Sequence, residues 1–402
     1  MKILQINAVY GFGSTGRNVR ELHRHLHRKG HESWVGYAID PKGKADKNDG
    51  KIFKIGNVFD RKMHALLSRI FHNQGCWSRR VTARLCKKID RLGPDIVHLN
   101  NLHSNFIHLP LLLNYLSERE TAVVITLHDC WFFTGGCHYY TKENCERWIS
   151  GCTGCRRYPS ASHRLSEKER RFREIKKLGV IGVSDWITGE AKKTFLGTAN
   201  RITRIYNWVD PEIFHILSDR NGVKRELHFP ADKKIVLGVA QRWSEQKGLA
   251  EMLHIAKSID DCIVVLAGEK PPGRKMPENV LRYGFIQNSE ELVKLYNAAD
   301  VLVNPSRMEA FGKVTAEALA CGTPVVLYRN TGSAELVEEE VGAMAENLNL
   351  AELTEKTREI LQKEKSHYAQ ACREAARKKF DMEQRLQDYV QVYESLLAGE
   401  EG

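Results

Sequence analysis

Apolar residues recur along this chain in two alternating forms. Short, nearly unbroken runs of aliphatic residues occur at Ile3–Val9, Ser33–Tyr37, Ile96–Leu99, Val123–Leu127, Gly179–Val183 and Arg204–Tyr206, and again at Ile235–Ala240, Ile263–Ala267, Val301–Asn304 and Val325–Tyr328. Runs of this length suit strands buried on both faces. Between them a helical spacing of apolar positions predicts helices over Arg17–Arg28, Met63–Phe71, Val81–Leu92, Leu165–Lys177, Leu249–Ser258, Glu290–Ala298 and Val314–Ala320. Beyond Ala351 one long helical pattern continues to about Leu397. Strand and helix alternate throughout, which predicts an α/β protein built from doubly wound parallel sheets.

At 402 residues the chain exceeds one ordinary core, and two domains are expected. Periodicity lapses from Asn207-Trp208-Val209-Asp210-Pro211 to Asp232. The expected division is an N-terminal Rossmann-like domain over 1–208, with a Cys-rich insert at 129–158, and a C-terminal domain over 209–375. A last helical segment, 376–402, is expected to pack back toward the N-terminal domain. Two such halves facing a central cleft would hold ligands at the carboxyl ends of their strands.

Charge refines this picture. The net charge of +11 combines two opposed halves: Met1–Asp210 holds 36 Lys and Arg against 19 Asp and Glu, or +17, and the remainder 25 against 31, or −6. A basic half suits an anionic partner such as a membrane surface, a lipid phosphate or nucleic acid, and equally a solvated face. No apolar run approaches the roughly 18 residues that span a bilayer, and Met1–Val9 reads as a first strand rather than a signal segment. A cytoplasmic protein, at most peripheral at the inner face of the plasma membrane, is expected.

The chemistry-bearing residues gather where strands end. Gly11-Phe12-Gly13-Ser14-Thr15-Gly16 follows the first strand, and Asp40 closes the second, 24 residues beyond Gly16. That pattern matches a dinucleotide fingerprint with its ribose acid, so an NAD-dependent oxidoreductase is one reading and a structural glycine turn another. In the second half Arg242 and Lys247 stand five apart on the loop after Ile235–Ala240. Two cations there would neutralise a diphosphate and stabilise it as it departs, or would simply face solvent. Glu309 then falls on a strand-to-helix loop, and Glu317 eight residues on lies about two turns into a helix closed by Gly322. Backbone N–H groups of Phe311–Thr315 would leave that helix N-terminus toward a phosphate or sugar.

Taken in order, Arg242…Lys247-Gly248, Glu309-Ala310-Phe311-Gly312-Lys313-Val314…Glu317-Ala318 and Cys321-Gly322-Thr323-Pro324-Val325-Val326 resemble the retaining GT-B glycosyltransferases of family 4. The likeness extends through the first half at Pro94–His98, Thr126-Leu127-His128-Asp129, Val183-Ser184 and Asn207–Asp210. It is nearest to bacterial polysaccharide-assembly enzymes of the colanic acid type, with a cysteine-bearing insert after the His-Asp pair. The resemblance implies that Glu309 contacts the donor sugar near its anomeric carbon and that Glu317 accepts hydrogen bonds from the nucleotide ribose. Arg242 and Lys247 would hold the diphosphate, and Phe311, Gly312, Lys313 and Val314 would offer backbone N–H groups. Gly13 and Ser14 would approach from the opposite domain, with His128 facing the donor sugar or, alternatively, packing in the core. The activity implied is transfer of a hexose from a nucleotide sugar to a glycan acceptor, lipid-linked in cell-surface polysaccharide synthesis, with no metal required for catalysis. Retention would follow from same-face displacement, which the family favours, or from a covalent intermediate on Glu309.

Two further segments stand apart. Cys137, Cys145, Cys152 and Cys155 place four thiols within 19 residues, ending in CxxC; structural zinc, an iron–sulfur cluster and reduced thiols all fit this spacing. Arg61–His72 mixes cations with apolar residues at helical spacing, followed by Arg79, Arg80, Arg84, Lys87, Lys88 and Arg91. It could lie on anionic lipid or be an ordinary helix packed by Leu67, Ile70 and Phe71. A non-enzymatic, zinc-containing nucleic-acid binder is the remaining alternative, but it leaves Glu309 and Glu317 without a task, so no nucleic-acid partner is expected.

Overall fold

In the computed structural model of the chain, residues 1–41, 43, 49–141, 145–269, 276–284, 286 and 288–399 are described. They divide into two units: Met1–Ile205 with Leu386–Gly402, and Tyr206–Arg385. The first division falls just before the Asn207–Pro211 lapse in periodicity, and the chain rejoins the first unit at Leu386 rather than at Ala376.

The first unit contains β1 (Lys2–Val9), β2 (Glu32–Ile39), β3 (Ile52–Lys54), β4 (Ile96–Leu99), β5 (Ala122–Leu127), β6 (Leu178–Gly182) and β7 (Arg201–Arg204). They form a parallel sheet in the order β3-β2-β1-β4-β5-β6-β7. The second unit contains β8 (Lys234–Arg242), β9 (Cys262–Glu269), β10 (Val280–Tyr283), β11 (Val301–Asn304), β12 (Val325–Arg329) and β13 (Gly342–Glu346), parallel in the order β10-β9-β8-β11-β12-β13. Both sheets have the Rossmann order, in which succession reverses beside the first strand and opens a crevice at the carboxyl ends. The reversal lies between β1 and β4 in one unit, and between β8 and β11 in the other. Candidate residues follow three of those strands, β1, β8 and β11, and His128 follows β5, the neighbour of β4.

Every central strand coincides with a predicted apolar run. The differences fall on the sheet edges: β3, β10 and β13 carry no unbroken apolar run, and β7 begins three residues before the expected Arg204. Edge strands are half solvated, so the sequence signal fades there. The run Leu109–Ser117 is a helix, started by Pro110 and by Leu111 N–H donating to His108 Nδ1 at 3.0 Å. The long C-terminal pattern is three helices, Leu350–Leu361, Ser366–Phe380 and Met382–Ala398. Lys365 interrupts it by turning inward, donating to the carbonyls of Tyr296 and Asn297 at 2.9 Å each. Asp381 interrupts it again in an extended conformation, its Oδ1 accepting Gln384 N–H at 2.8 Å.

The last of these helices is fastened to the first sheet through His98, which is buried on β4. Its Nε2 lies 2.8 Å from Thr126 Oγ1 on β5 and its Nδ1 2.8 Å from the Tyr393 hydroxyl. Gly179 on β6 leaves room for Leu396, whose Cδ2 would stand 3.3 Å from a Cβ at that position.

Candidate active site

In the second unit the loops after β8 and β11 are laced together. Arg307 N–H donates to the Gln246 carbonyl at 3.0 Å. Gly248 has a left-handed backbone (φ +69°), and a Cβ there would overlap Pro305. Lys247, on the turn Glu245–Lys247, is thereby carried to the Glu309 loop, and its Nζ lies 2.5 Å from Glu309 Oε1. Glu309 is held by its backbone on both sides: its N–H donates to Thr331 Oγ1 at 3.0 Å, and its carbonyl accepts Gly332 N–H at 2.9 Å. Its side chain is 16 % exposed and Lys247 is 34 % exposed, so the pair is partly open to solvent.

The helix Lys313–Ala320 starts beside this pair. Its N-cap is Gly312 (φ +90°), no side chain caps it and its first turn carries no acid. A Cβ on Gly312 would come 2.9 Å from Ser333 Cβ, so glycine is required by space as well as by φ. An uncapped N-terminus of this kind attracts negative charge. Phe311 is buried and packs edge-on against Phe380 at 5.5 Å, which leaves its backbone rather than its ring to face a ligand. Lys313 and Val314 are half-buried in the first turn.

Arg242 ends β8 and is 76 % exposed, its Nε 2.8 Å from Glu269 Oε2 at the end of β9. Glu317 is buried, and its Oε2 accepts the Tyr296 hydroxyl at 3.0 Å. Both cations and both carboxylates thus have protein partners, and a ligand must compete with them. Sequence reasoning missed Glu269, Tyr296 and Thr331, since each partner comes from a different element.

In the first unit the helix Gly13–Arg28 begins at the end of β1. Gly13 is left-handed (φ +65°) with open space beside it, and Ser14 is exposed in the first turn. Gly16 packs the helix close to β1, where a Cβ would stand 3.0 Å from Val9 Cγ2. The neighbouring loop after β4 is tied to β1 by Asn101 N–H donating to Asn7 Oδ1 at 3.0 Å. It carries Asn100, whose Oδ1 accepts His128 Nε2–H at 3.0 Å from the end of β5. His128 is half-buried rather than a core residue, and Asn100 fixes its ring.

Next to it, Asp129 is buried and caps the turn Cys130–Phe133 through Trp131 N–H at 2.9 Å. Its Oδ2 accepts His103 Nε2–H at 3.0 Å and lies 3.5 Å from His138 Nδ1. Burial alone would raise this carboxyl, but the two imidazoles outweigh it and hold it far below the usual range. Lys168 lies in the same interior, donating to the carbonyls of Trp131 and Thr134 at 2.5 and 2.9 Å. Burial lowers its pKa to about 7, against the pull of Asp129.

The four insert thiols carry no disulfide. Burial pushes Cys137 up to about 11; Arg157 opposes this, and Cys155, Cys152 and Cys145 add to it. Among the described residues, ligand atoms lie within 4.8 Å of one another in His23/His27/Asp49 and in His103/Asp129/His138, and the thiols are not among these groups.

Residues 15–213 match the family model described as Glycosyltransferase Family 4, and residues 220–379 match Glycosyl transferases group 1. The chain is a member of the family 4 and group 1 glycosyltransferases. It is 25 % identical to WcaC of Escherichia coli K12, named for colanic acid biosynthesis, over 98 % of this chain and 100 % of that one. It is 30 % identical to an uncharacterized protein of the cps region of Klebsiella pneumoniae, over 75 % of this chain and 79 % of that one. In fold it is similar to the sucrose-phosphate synthase of Thermosynechococcus elongatus (TM-score 0.73, 19 % identity, 99 % of both chains). It is also similar to HepE of Anabaena solved with UDP (TM-score 0.71, 19 % identity, 98 % of this chain and 100 % of that one). The fold is therefore GT-B. The oxidoreductase and nucleic-acid readings are set aside.

Proposed function

We propose that this glycosyltransferase moves a hexose from a nucleoside diphosphate sugar to a lipid-linked glycan, with retention of configuration. The observation that carries the reading is the Lys247–Glu309 pair at an uncapped helix N-terminus, at the reversal point of a Rossmann-order sheet. A diphosphate entering there takes Lys247 from Glu309 and Arg242 from Glu269, and rests against the N–H groups of Phe311–Val314. Glu309, released from its cation, is then free to accept hydrogen bonds from sugar hydroxyls beside the anomeric carbon. The leaving group is already a stable anion, and fixed cations and dipoles stabilise it further as the bond breaks. Glu317 takes the ribose hydroxyls by exchanging its Tyr296 partner. Within the first unit, Gly13 has open space beside it and Asn100 Oδ1 orients the His128 ring. The names of WcaC and of HepE, solved also with UDP-glucose, support a sugar nucleotide donor and a polysaccharide product.

The lipid-linked acceptor is supported by the helix Val58–Ile70. Its only buried residue is His64, while Phe59, Met63, Leu66 and Ile70 are exposed at helical spacing, with Val58 and Phe71 at the ends. Ile70 and Phe71, which the alternative of an ordinary helix would bury, are 58 % exposed each. The cations Arg61, Lys62 and Arg69 share the helix, and the next helix, Arg79–Leu92, adds more. An apolar stripe rimmed by positive charge fits an anionic bilayer surface.

The test is a screen of UDP-, GDP-, ADP- and dTDP-hexoses by thermal shift, followed by turnover of the stabilising donor. Glu309→Gln is expected to remain folded and to lose at least about two orders of magnitude in turnover. Near wild-type turnover would sink the assignment.

A further inference from the structure

We propose that His23, His27 and Asp49 bind one zinc ion, as a structural centre that ties the helix Gly13–Arg28 to the segment leading into β3. His23 and His27 stand four residues apart on that helix, so their rings share one face. The two rings meet edge to face, with centroids 4.6 Å apart. Asp49 is set beside them by the start of β3. Its carbonyl accepts Ile52 N–H at 3.0 Å and its Oδ1 accepts Lys51 N–H at 2.9 Å, which leaves Oδ2 for His23. Oδ2 lies 3.2 Å from His23 Nε2, and one ligand atom from each of the three residues falls within 4.8 Å of the others. Two ligand atoms on zinc bonds of about 2.0–2.1 Å stand about 3.3 Å apart at a tetrahedral angle. The His23–Asp49 spacing already suits the ion.

Two observations favour a metal over a plain imidazole–carboxylate pair. First, His23 is buried, and its Nδ1 lies 2.9 Å from the hydroxyl of Ser33, itself buried on β2. An oxygen there accepts the Nδ1 proton and leaves the Nε2 lone pair for a cation, the usual outer support of a metal-bound histidine. Second, the half-buried His27 ring closes on this pair yet has no hydrogen-bond partner among the described residues. Burial lowers the His23 pKa against the pull of Asp49, with His27 and Lys51 adding to the lowering, and the neutral imidazole is the form that ligates. In the other group, His103/Asp129/His138, a single oxygen, Asp129 Oδ2, faces both imidazoles as an acceptor, which makes it the control. Three protein ligands leave the fourth zinc position to water. Ser33 is the second residue of β2 and Asp49 precedes β3. The centre therefore lies at the amino ends of these strands, away from the crevice at their carboxyl ends, and takes no part in transfer.

The experiment is calorimetric titration of zinc into full-length protein stripped with chelator, with melting temperature measured alongside. Wild type is expected to bind one zinc equivalent more than Asp49→Asn, a near-isosteric change in a partly exposed residue. Ser33→Ala should weaken that equivalent about tenfold or more, while His103→Ala/His138→Ala should keep it. Zinc in that equivalent should raise the melting temperature of wild type and not of Asp49→Asn. Cobalt in the same equivalent of wild type should lack thiolate-to-metal absorption, which separates it from the insert cysteines without relying on any variant. Equal zinc equivalents in wild type and Asp49→Asn, loss of the equivalent with His103 and His138 instead, or thiolate absorption from it would each overturn the proposal.

Discussion

In the function proposed above, donor binding turns on Lys247, whose Nζ lies 2.5 Å from Glu309 Oε1. A charge-assisted hydrogen bond to phosphate is worth about 1.5–3 kcal/mol, so Lys247→Met should weaken nucleoside diphosphate binding about tenfold or more by calorimetry. An unchanged affinity would place the diphosphate elsewhere. Arg242 is far more exposed and its pair with Glu269 is worth little by itself, so Arg242→Met should cost less. Gly312 is constrained differently. With φ at +90° and Ser333 Cβ 2.9 Å from any added Cβ, Gly312→Ala should cost about 1–3 kcal/mol and lower both melting temperature and donor affinity. A variant as stable as wild type would show that the helix start can relax.

Two elements carry predictions of their own. The helix Val58–Ile70 exposes its apolar stripe, so Phe59→Asp/Ile70→Asp should abolish co-sedimentation with phosphatidylglycerol vesicles while leaving donor binding intact. Equal sedimentation of wild type with phosphatidylcholine alone would remove the electrostatic part of the argument. The helix Met382–Ala398 answers to pH through His98, whose burial, with His128 nearby, lowers its pKa to about 3. The folded state therefore refuses a proton that the unfolded chain accepts near pH 6.5. Stability from this group is full above about 6.5 and is lost as pH falls from there toward 3, at up to about 1.4 kcal/mol per unit. Hydrogen exchange should show the helix opening more readily at pH 5 than at pH 7.5, and His98→Gln should flatten that difference. These elements also mark how far the sequence could be read. Central strands such as β5, buried along its whole length, declare themselves by composition, whereas β3, β10 and β13 lie at edges where packing is one-sided. The break at Lys365 was not legible, because it depends on carbonyls of Tyr296 and Asn297 that fold in from far along the chain.

On the scale of the whole molecule, two Rossmann-order sheets set their reversal points beside the glycine loop in one unit and the Lys247–Glu309 loops in the other. The spacing of Glu309 and Glu317 was legible because helix geometry fixes what separates them. Their partners were not, since Thr331 and Tyr296 are brought in by the sheet order rather than by nearby sequence. The charge asymmetry is +17 before Pro211 and −6 after. Among the described residues no helix is long and apolar enough to cross a membrane. The central claim, transfer of a hexose with retention from the Lys247–Glu309 site, is tested most directly by proton NMR of the product formed from an α-linked nucleoside diphosphate hexose. An α-configured anomeric proton in the new linkage is predicted, and a β-linked product would contradict the account.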